Sequence, residues 1–251
     1  MQHQSLVSYL LHLADNALVL GHRNSEWCGH GPVLEQDIAL TNISLDLLGQ
    51  ARYCYQYAAE LKGGGATEDS LAYLRDARDF RNFLILELPR GDWGFTVLRQ
   101  FFFSQYQHLL YTGLQQSRDE RIAGIAAKAL KETTYHLRWS SEWVLRLGDG
   151  TEESHACMQR SLSELWPYTG EFFQPDAVDL EMEAAGIVAS PETYRQAWTD
   201  AAGAILAEAT LQVPAGGWQH TGGRTGYHTE HLGFILAEMQ FLQRAYPGSE
   251  W

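Results

Sequence analysis

The sequence predicts an all-α fold built as a bundle of long helices. Apolar residues recur at spacings of three and four along almost the whole chain, whereas the strict alternation of half-buried strands is almost absent. Glycine clusters and prolines stand far enough apart to leave room for helices of roughly 20 to 30 residues. Because 45% of the 251 residues are hydrophobic, we expect one large core and a single domain over residues 1–251.

The first two predicted helices are both long. Ser5 can cap the first, whose apolar positions continue to Leu20. After a loop over 24–32, a second helix is predicted from Leu34 to Lys62, and three consecutive glycines end it. One side of this second helix carries apolar side chains at helical spacing, namely Leu34, Ile38, Leu45, Leu48 and Tyr55.

The middle of the chain is predicted as three more helices. Thr67 opens an element that continues to Leu88, where the following proline and glycine stop it. An apolar helix rich in aromatic residues follows over 95–117. Asp119 then caps a long helix that ends at Gly148.

The last third of the chain predicts three further helices and one long loop. A sixth helix begins at Thr151 and is interrupted by Pro167, and Ser190 precedes a seventh. The glycine-rich loop 216–226 is long enough to be functional or to bind a partner, and a final helix is predicted over 228–245. Helices of this length favour the ferritin-like type of bundle, with additional helices at the C-terminal end.

Composition and charge restrict the class of partner. Eighteen lysines and arginines against 31 acids give a formal net charge of -13, which repels nucleic acid and anionic membranes. No stretch reaches the roughly 18 apolar residues of a membrane span, and the first helix lacks the basic start of a signal peptide. The three cysteines are widely separated, which favours a reducing compartment. We expect a cytoplasmic protein that binds neither nucleic acid nor membrane.

A di-iron site of the ferritin-like type needs two Glu-x-x-His pairs and two further carboxylates. The residues that precede each histidine therefore show whether such a site is present. Glu152 and His155 form the one literal pair, in a polar first turn where acids favour the helix dipole. Glu132 and His136 are four residues apart and share a helix face. Because a second complete pair is missing, we interpret both as structural. Asp46 lies among leucines and is either a relic ligand or an ion-pair partner.

Two polar clusters near the C-terminus remain. His228 and His231 lie at the start of the last predicted helix, where zinc would need further ligands, so capping or partner contact is favoured. The loop 221–226 could hold a phosphate on its backbone amides, with Arg224 as the cation. No strand precedes this loop and no GK[ST] follows it, which excludes a P-loop.

Three segments of the sequence are distinctive. They are EWCGHGP at 26–32 continued by LEQDIALTNISLDLLGQAR at 34–52, KETTYHLRW at 131–139, and GGRTGYHTEHLGFILAEMQFLQRAYPGSEW at 222–251. Together they resemble the C subunits of bacterial phenylacetyl-CoA epoxidases, which belong to the ferritin-like superfamily. The similarity is colinear over essentially the whole chain.

This resemblance implies a structural, non-catalytic subunit that pairs with a catalytic A subunit and stabilises it. The A subunit carries the di-iron centre, and the larger assembly includes a reductase subunit. The complex epoxidises the ring of phenylacetyl-CoA with O2 and NADPH-derived electrons in aerobic phenylacetate degradation. We therefore expect no catalytic residue and no bound cofactor in this chain, which can also form a homodimer when isolated.

The resemblance also places the family's metal ligands on this sequence, as degenerate remnants. The first Glu-x-x-His pair falls on Asp46 and Gly49, and the second falls on Thr133 and His136. The carboxylate that precedes the second pair falls on Ser104, and the first-helix ligand falls near 15–17. The carboxylate of Asp46 and the imidazole of His136 are too few to bind two irons, because each iron needs several oxygen or nitrogen donors.

Two other functions remain open at this point. One is a di-iron oxygenase or ferroxidase that is active by itself, and it requires five side chains to converge: Asp15, Asp46, Glu87, Glu132 and His136. The other is a module that binds an acyl-CoA thioester through Arg224 and the glycine loop.

Overall fold

A computed structural model describes residues 2–249, so the ends of the predicted domain at Met1, Glu250 and Trp251 lie outside the described residues. Helices dominate this part of the chain, and no strand occurs in it, which confirms the predicted all-α helix bundle. None of the helices between residues 2 and 249 combines the length and apolar character needed to cross a membrane. The helices are α1 (Gln2–Ser25), α2 (Leu34–Lys62), α3 (Glu68–Tyr73), α4 (Leu84–Glu87), α5 (Trp93–Leu114), α6 (Glu120–Gly148), α7 (Glu152–Leu165), α8 (Ala177–Ala184), α9 (Arg195–Glu208), α10 (Glu230–Met239) and α11 (Phe241–Ala245).

The chain divides into two compact units. The first, called unit 1, comprises Met1–Pro89 together with Gly222–Trp251, and unit 2 comprises Arg90–Thr221. Unit 1 is therefore built from two segments that are far apart in sequence. The single ferritin-like domain predicted for residues 1–251 stays a prediction.

An antiparallel pair of long helices, α1 and α2, forms the main part of unit 1. The His3 ring at the start of α1 bonds the Leu61 carbonyl at the end of α2, at 2.7 Å, and Gly21 packs against Leu48. Helix α2 has the predicted bounds. Two acids in its first turn favour the helix dipole, and Gly63 follows its last residue with a φ of 65°.

The prediction of a continuous helical element over 67–88 is wrong. Thr67 does cap α3 through a reciprocal pair of bonds with Ser70, but α3 ends at Tyr73. A short 3-10 turn follows over Ala77–Asp79, and α-helix returns only in the single turn of α4. The backbone N–H of Arg81 donates to Asp15 and that of Phe83 donates to Asn16, both at 2.8 Å. Buried side chains of α1 thus satisfy backbone groups that a helix would have paired internally.

The C-terminal segment of unit 1 contains a second departure from prediction. Instead of one helix over 228–245, α10 and α11 are separated at Gln240. The buried side-chain amide of Gln240 donates to the carbonyls of Ala72 and Arg75, at 3.2 and 3.0 Å. These bonds satisfy carbonyls at the end of α3 that have no helical partner.

Unit 2 is organised around α5 and α6. Asp92 caps α5, and Asp119 caps α6 by accepting bonds from the backbone of Arg121 and Ile122 at 3.0 Å each. The α6 bounds agree with prediction, while α5 begins two residues earlier and ends three residues earlier than predicted. Edge-to-face rings of Trp93 and Trp139, 6.1 Å apart, join the two helices.

The remaining helices of unit 2 pack around an aromatic cluster. Thr151 caps α7 as predicted, and beyond α7 the chain continues through Pro167 as a 3-10 helix over 166–173. The short helix α8 was not predicted. A 3-10 turn that starts at Pro191 precedes α9, in place of the continuous helix predicted there. Trp198 of α9 is buried and donates its indole N–H to the Phe102 carbonyl at 3.1 Å.

Candidate functional site

Two of the degenerate ligand positions lie on α2 in unit 1. Asp46 is half-buried, between the exposed Leu45 and the buried Leu47. A Cβ built on Gly49 would meet no other atom within 4 Å. The position where the family pattern has an imidazole is therefore open space beside the α2 backbone.

Three further degenerate positions lie in unit 2 and are fully buried. Ser104 of α5 accepts a hydrogen bond from the amide of Gln100 at 2.8 Å. Thr133 and His136 lie on consecutive turns of α6, where i and i+3 share one face. The side chains at these three positions are two hydroxyls and one imidazole, without a carboxylate.

The chemistry of these side chains does not suit a pair of irons. Carboxylate-bridged di-iron sites use anionic oxygen donors from several helices. Taken unit by unit, the degenerate positions supply one half-buried carboxylate in unit 1, Asp46, and none in unit 2. Hydroxyl groups such as those of Ser104 and Thr133 cannot bridge two metal ions as anions at neutral pH.

Asp15, the candidate ligand of the first helix, is occupied by protein donors. Its fully buried carboxylate accepts bonds from the Tyr55 hydroxyl at 2.5 Å, the Arg81 backbone N–H at 2.8 Å and the Arg75 guanidinium. Burial and the Asp15 charge raise the pKa of Tyr55 well above its usual value. Burial by itself lowers the pKa of Arg75, but the charge of Asp15, together with Tyr55, Asp79 and the hydrogen bond to Asp15, raises that pKa above its usual value. Asp15 is thus one half of a buried ion pair.

Glu87, which the self-sufficient oxygenase would also need, has its own set of partners. Its buried carboxylate accepts from the Thr229 backbone N–H at 2.5 Å and from the Asn82 amide at 2.9 Å, and lies 2.8 Å from His228 Nδ1. The same residue's backbone carbonyl accepts two bonds from Arg23, at 2.8 and 3.1 Å. Glu87 therefore fastens the C-terminal segment to the middle of unit 1.

The glycine loop and Arg224 do not form an exposed phosphate cradle. Arg224 is buried, donates to His12 Nδ1 at 2.5 Å and stacks over the Phe83 ring. A Cβ on Gly223 would lie 2.1 Å from the Asn82 carbonyl oxygen. At Gly223 the loop therefore packs its backbone directly against the segment before α4, which is the physical reason for glycine at that position.

The histidine clusters that the sequence singled out have structural partners. His155 donates its ring N–H to the Gly148 carbonyl at 2.7 Å, so it satisfies the last turn of α6, and Glu152 is exposed in the first turn of α7. Thr229 caps α10, which agrees with the predicted capping role of the 228–231 segment. Glu132, half-buried on α6, lies one turn before His136.

The exposure of an apolar side of α2 is the feature that sequence reasoning missed. Val33 is 51% exposed, Leu34 70%, Ile38 52% and Leu45 61%, and the last three share one side of the helix by their spacing. We call these four residues the α2 face. The opposite side buries a second apolar set, Leu40, Ile43 and Leu47. The sequence pattern could have indicated this exposed face, because the helix is apolar on two sides and a surface helix needs only one apolar side to pack against the core.

The fold and these clusters define an all-α helix-bundle protein in which the buried Asp15 and Glu87 carboxylates are bound by other side chains of the same chain. The chain belongs to the family of phenylacetic acid catabolic proteins, because the family model of that description matches residues 1–251. It is 50% identical over 246 residues to the C subunit of the 1,2-phenylacetyl-CoA epoxidase of Escherichia coli (strain K12), an alignment that covers 98% of this chain and 99% of that protein. The predicted resemblance is confirmed.

Proposed function

We propose that this chain is a structural, non-catalytic subunit of a multicomponent di-iron monooxygenase in the cytoplasm. The complex epoxidises the ring of phenylacetyl-CoA in aerobic phenylacetate degradation, with O2 and electrons that a reductase subunit delivers from NADPH. Within it, the chain pairs with the catalytic A subunit and stabilises it. The similarity to the Escherichia coli protein supports this role.

The observation that best supports the proposal is the exposure of the apolar α2 face. Contiguous exposed apolar side chains mark protein interaction sites, because water contact with them is costly until a partner covers them. The surroundings are acidic: between Arg23 and Arg52 the sequence has four acids and neither lysine nor arginine. The complementary surface on the catalytic subunit is therefore an apolar helix face flanked by basic residues.

The α2 face is also held in a fixed position. Asp37 in the first turn of α2 accepts a bond from the Gly31 backbone N–H at 3.1 Å, which ties the preceding loop to the helix. Bonds from the backbone N–H groups of Gly31 and Gly29 lower the pKa of Asp37, so the carboxylate is ionised at neutral pH. A surface that is already ordered loses less conformational entropy when it binds.

Co-expression with the catalytic subunit tests the pairing. The double variant I38E/L45E places two charges on the α2 face, and we expect it to elute separately from the catalytic subunit in size-exclusion chromatography and to lose epoxidase activity. L180E is the matched control, because Leu180 is a similarly exposed leucine (55%) on α8. Both variants should fold, since exposed substitutions usually change stability by only about 0.5 kcal/mol.

Two results would contradict the proposal. If I38E/L45E still pairs as the unaltered chain does, the α2 face is not the docking surface. If the catalytic subunit is stable and fully active without this chain, the structural role itself is wrong.

The proposal includes the expectation that this chain holds no metal of its own. The donor chemistry at Asp46, Gly49, Ser104, Thr133 and His136 supports that expectation. Metal analysis of the chain purified alone after iron loading tests it. Near-stoichiometric iron, at two ions per chain, would instead support the self-sufficient oxygenase.

A further inference from the structure

A cavity lies between α1, α2 and α3 of unit 1, on the side of α2 that carries the α2 face. Its volume is about 330 Å³, near the lower limit of the ~300–1,000 Å³ that is usual for sites that take an organic group. Most of its wall is formed by apolar side chains and tyrosine rings, namely Leu18, Leu48, Ala51, Tyr55, Ala72 and Tyr73. Leu48 and Arg52 follow Leu45 of the α2 face at spacings of three and four residues. The exposed side of the helix therefore leads directly into the cavity.

The mouth of the cavity is charged. Arg52 and Asp69 are exposed and Glu68 is half-buried, so these three lining residues lie where the cavity meets water. Arg52 Nε donates to Glu68 Oε1 at 2.9 Å, in a pair whose arginine side chain is 65% exposed. Burial, and then the charge of Asp69, raise the pKa of Tyr73, which places the Asp69 carboxylate beside that ring. Two carboxylates against one guanidinium leave the mouth with a net negative charge.

This combination of an apolar wall and an acidic mouth fits a cation on an apolar stem. An arginine side chain has that form: its methylene groups can lie along apolar surface while the guanidinium stays in water. The planar guanidinium also binds carboxylates through two parallel bonds and stacks on aromatic rings, which a lysine ammonium does not do in the same way. The Tyr55 hydroxyl at the cavity wall already donates to Asp15, at 2.5 Å. The charged contacts of an occupant therefore come from Glu68 and Asp69.

We infer that this cavity receives an arginine side chain of the catalytic subunit, whose guanidinium binds Glu68 and Asp69. The inference rests on the proposed function, since a partner helix that covers Leu45 continues over Leu48 and Arg52. It adds a contact that fixes the register of the partner on the α2 face, because apolar contacts alone are not directional. Arg52 holds Glu68 in the free chain and competes with the incoming guanidinium for that carboxylate.

Competition between chains for the catalytic subunit tests the inference. A complex of the catalytic subunit with a fluorescently labelled unaltered chain is titrated with unlabelled chains, and the concentration that displaces half of the label is measured. We expect E68Q/D69N to need about tenfold more protein than the unaltered chain, because the guanidinium loses both charged acceptors. E152Q/E153Q is the matched control and should compete as the unaltered chain does, since it removes two exposed acids from the first turn of α7.

Arg52→Gln should have the opposite effect. It removes the guanidinium that pairs with Glu68 in the free chain, so the arginine of the partner meets an available carboxylate and no like charge. We expect this variant to need about threefold less protein than the unaltered chain. An Arg52–Glu68 pair that only holds α2 and α3 together predicts instead that Arg52→Gln and E68Q/D69N both weaken competition.

The possible failures are distinguishable. The inference alone is overturned if E68Q/D69N competes as well as E152Q/E153Q, or if Arg52→Gln competes no better than the unaltered chain. If the labelled unaltered chain forms no complex with the catalytic subunit, the proposed function is overturned and the inference with it.

Discussion

Two histidines of α1, His12 and His22, have lowered pKa values. His12 is buried and accepts a bond from Arg224 through Nδ1, so its ring is neutral. Burial, and then the charges of Arg224 and Arg81, lower the pKa of His12 well below its ordinary value of 6.5. Burial also lowers the pKa of His22, against a smaller opposite effect of Glu26. Both rings therefore resist protonation.

The first prediction concerns acid stability. Below pH 6.5 the unfolded chain binds a proton at His12 and the folded chain does not, so stability is lost as the pH falls. We expect His12 to contribute a loss of about 1.4 kcal/mol per pH unit there. Urea unfolding at about pH 7.5, 6.5 and 5.5 should show a flatter dependence for His12→Gln than for the unaltered chain.

The second prediction concerns the buried ion pair of Asp15 and Arg75. Asp15→Asn leaves the Arg75 charge buried without its counter-ion, and we expect it to destabilise the fold by about 3–5 kcal/mol. Tyr55→Phe removes only one hydrogen-bonding group from the same cluster and should cost about 1.5–3 kcal/mol. Denaturant midpoints measure both. A cost for Asp15→Asn no larger than that for Tyr55→Phe would show that the pair is not coupled as the geometry indicates.

At the scale of elements, the sequence predicted the helices whose ends are encoded locally. Helix α2 ends at three glycines, and α6 starts at Asp119, so neighbouring residues determine both bounds. The element over 67–88 failed because its backbone bonds to Asp15 and Asn16, which are more than 60 residues away in sequence. Gln240 likewise interrupts a predicted helix to reach α3. Partners at that separation leave no local signal.

For the candidate site, the resemblance supplied the degenerate ligand positions, and their assignment stays a prediction. The structure shows the surroundings of these positions, from the open space at Gly49 to the buried hydroxyl of Ser104. The His228–Glu87 pair was not foreseen, because the two residues are 141 positions apart. The exposure of the α2 face was also missed, since periodicity shows that residues share a side but not whether that side is covered.

The third prediction belongs to the glycine loop. A Cβ at Gly223 would overlap the Asn82 carbonyl oxygen, so Gly223→Ala should push the loop away and loosen α10. Gly233→Ala on α10 is the matched control: its added Cβ meets nothing within 4 Å, and it should stabilise the helix by roughly 0.5–1 kcal/mol. Thermal unfolding compares the two. Equal effects of the two substitutions would contradict the close packing of the loop.

The whole molecule is characterised by the discontinuity of unit 1. Leu232, Ile235 and Leu236 of α10 are buried, so the final segment supplies part of the apolar interior of this unit. Unit 2, in contrast, is one continuous stretch of chain. Unit 1 therefore contains the C-terminal thirty residues as part of its interior, whereas unit 2 contains none of them.

The fourth prediction is that removing residues 222–251 unfolds unit 1 selectively. Without that segment Glu87 loses the donors from His228 and Thr229, and α3 loses the bonds from Gln240. We expect hydrogen exchange in α1 and α2 to rise steeply, while α5 and α6 remain protected. A chain truncated after Pro247 keeps all of these contacts and is the control. Unchanged protection of α1 and α2 in the shorter chain would show that they do not need the segment.

The same discontinuity sets an order of events during synthesis on the ribosome. Residues 1–89 emerge first, but His228 and Thr229, which bind the Glu87 carboxylate, and Gln240, which binds the Arg75 carbonyl, emerge only after the whole of unit 2 has been translated. At roughly 5–20 residues per second, that interval is on the order of ten seconds. During it the nascent chain exposes both the α2 face and the surface that α10 later covers. The N-terminal part of this protein therefore keeps apolar surface uncovered for longer than its position in the sequence suggests.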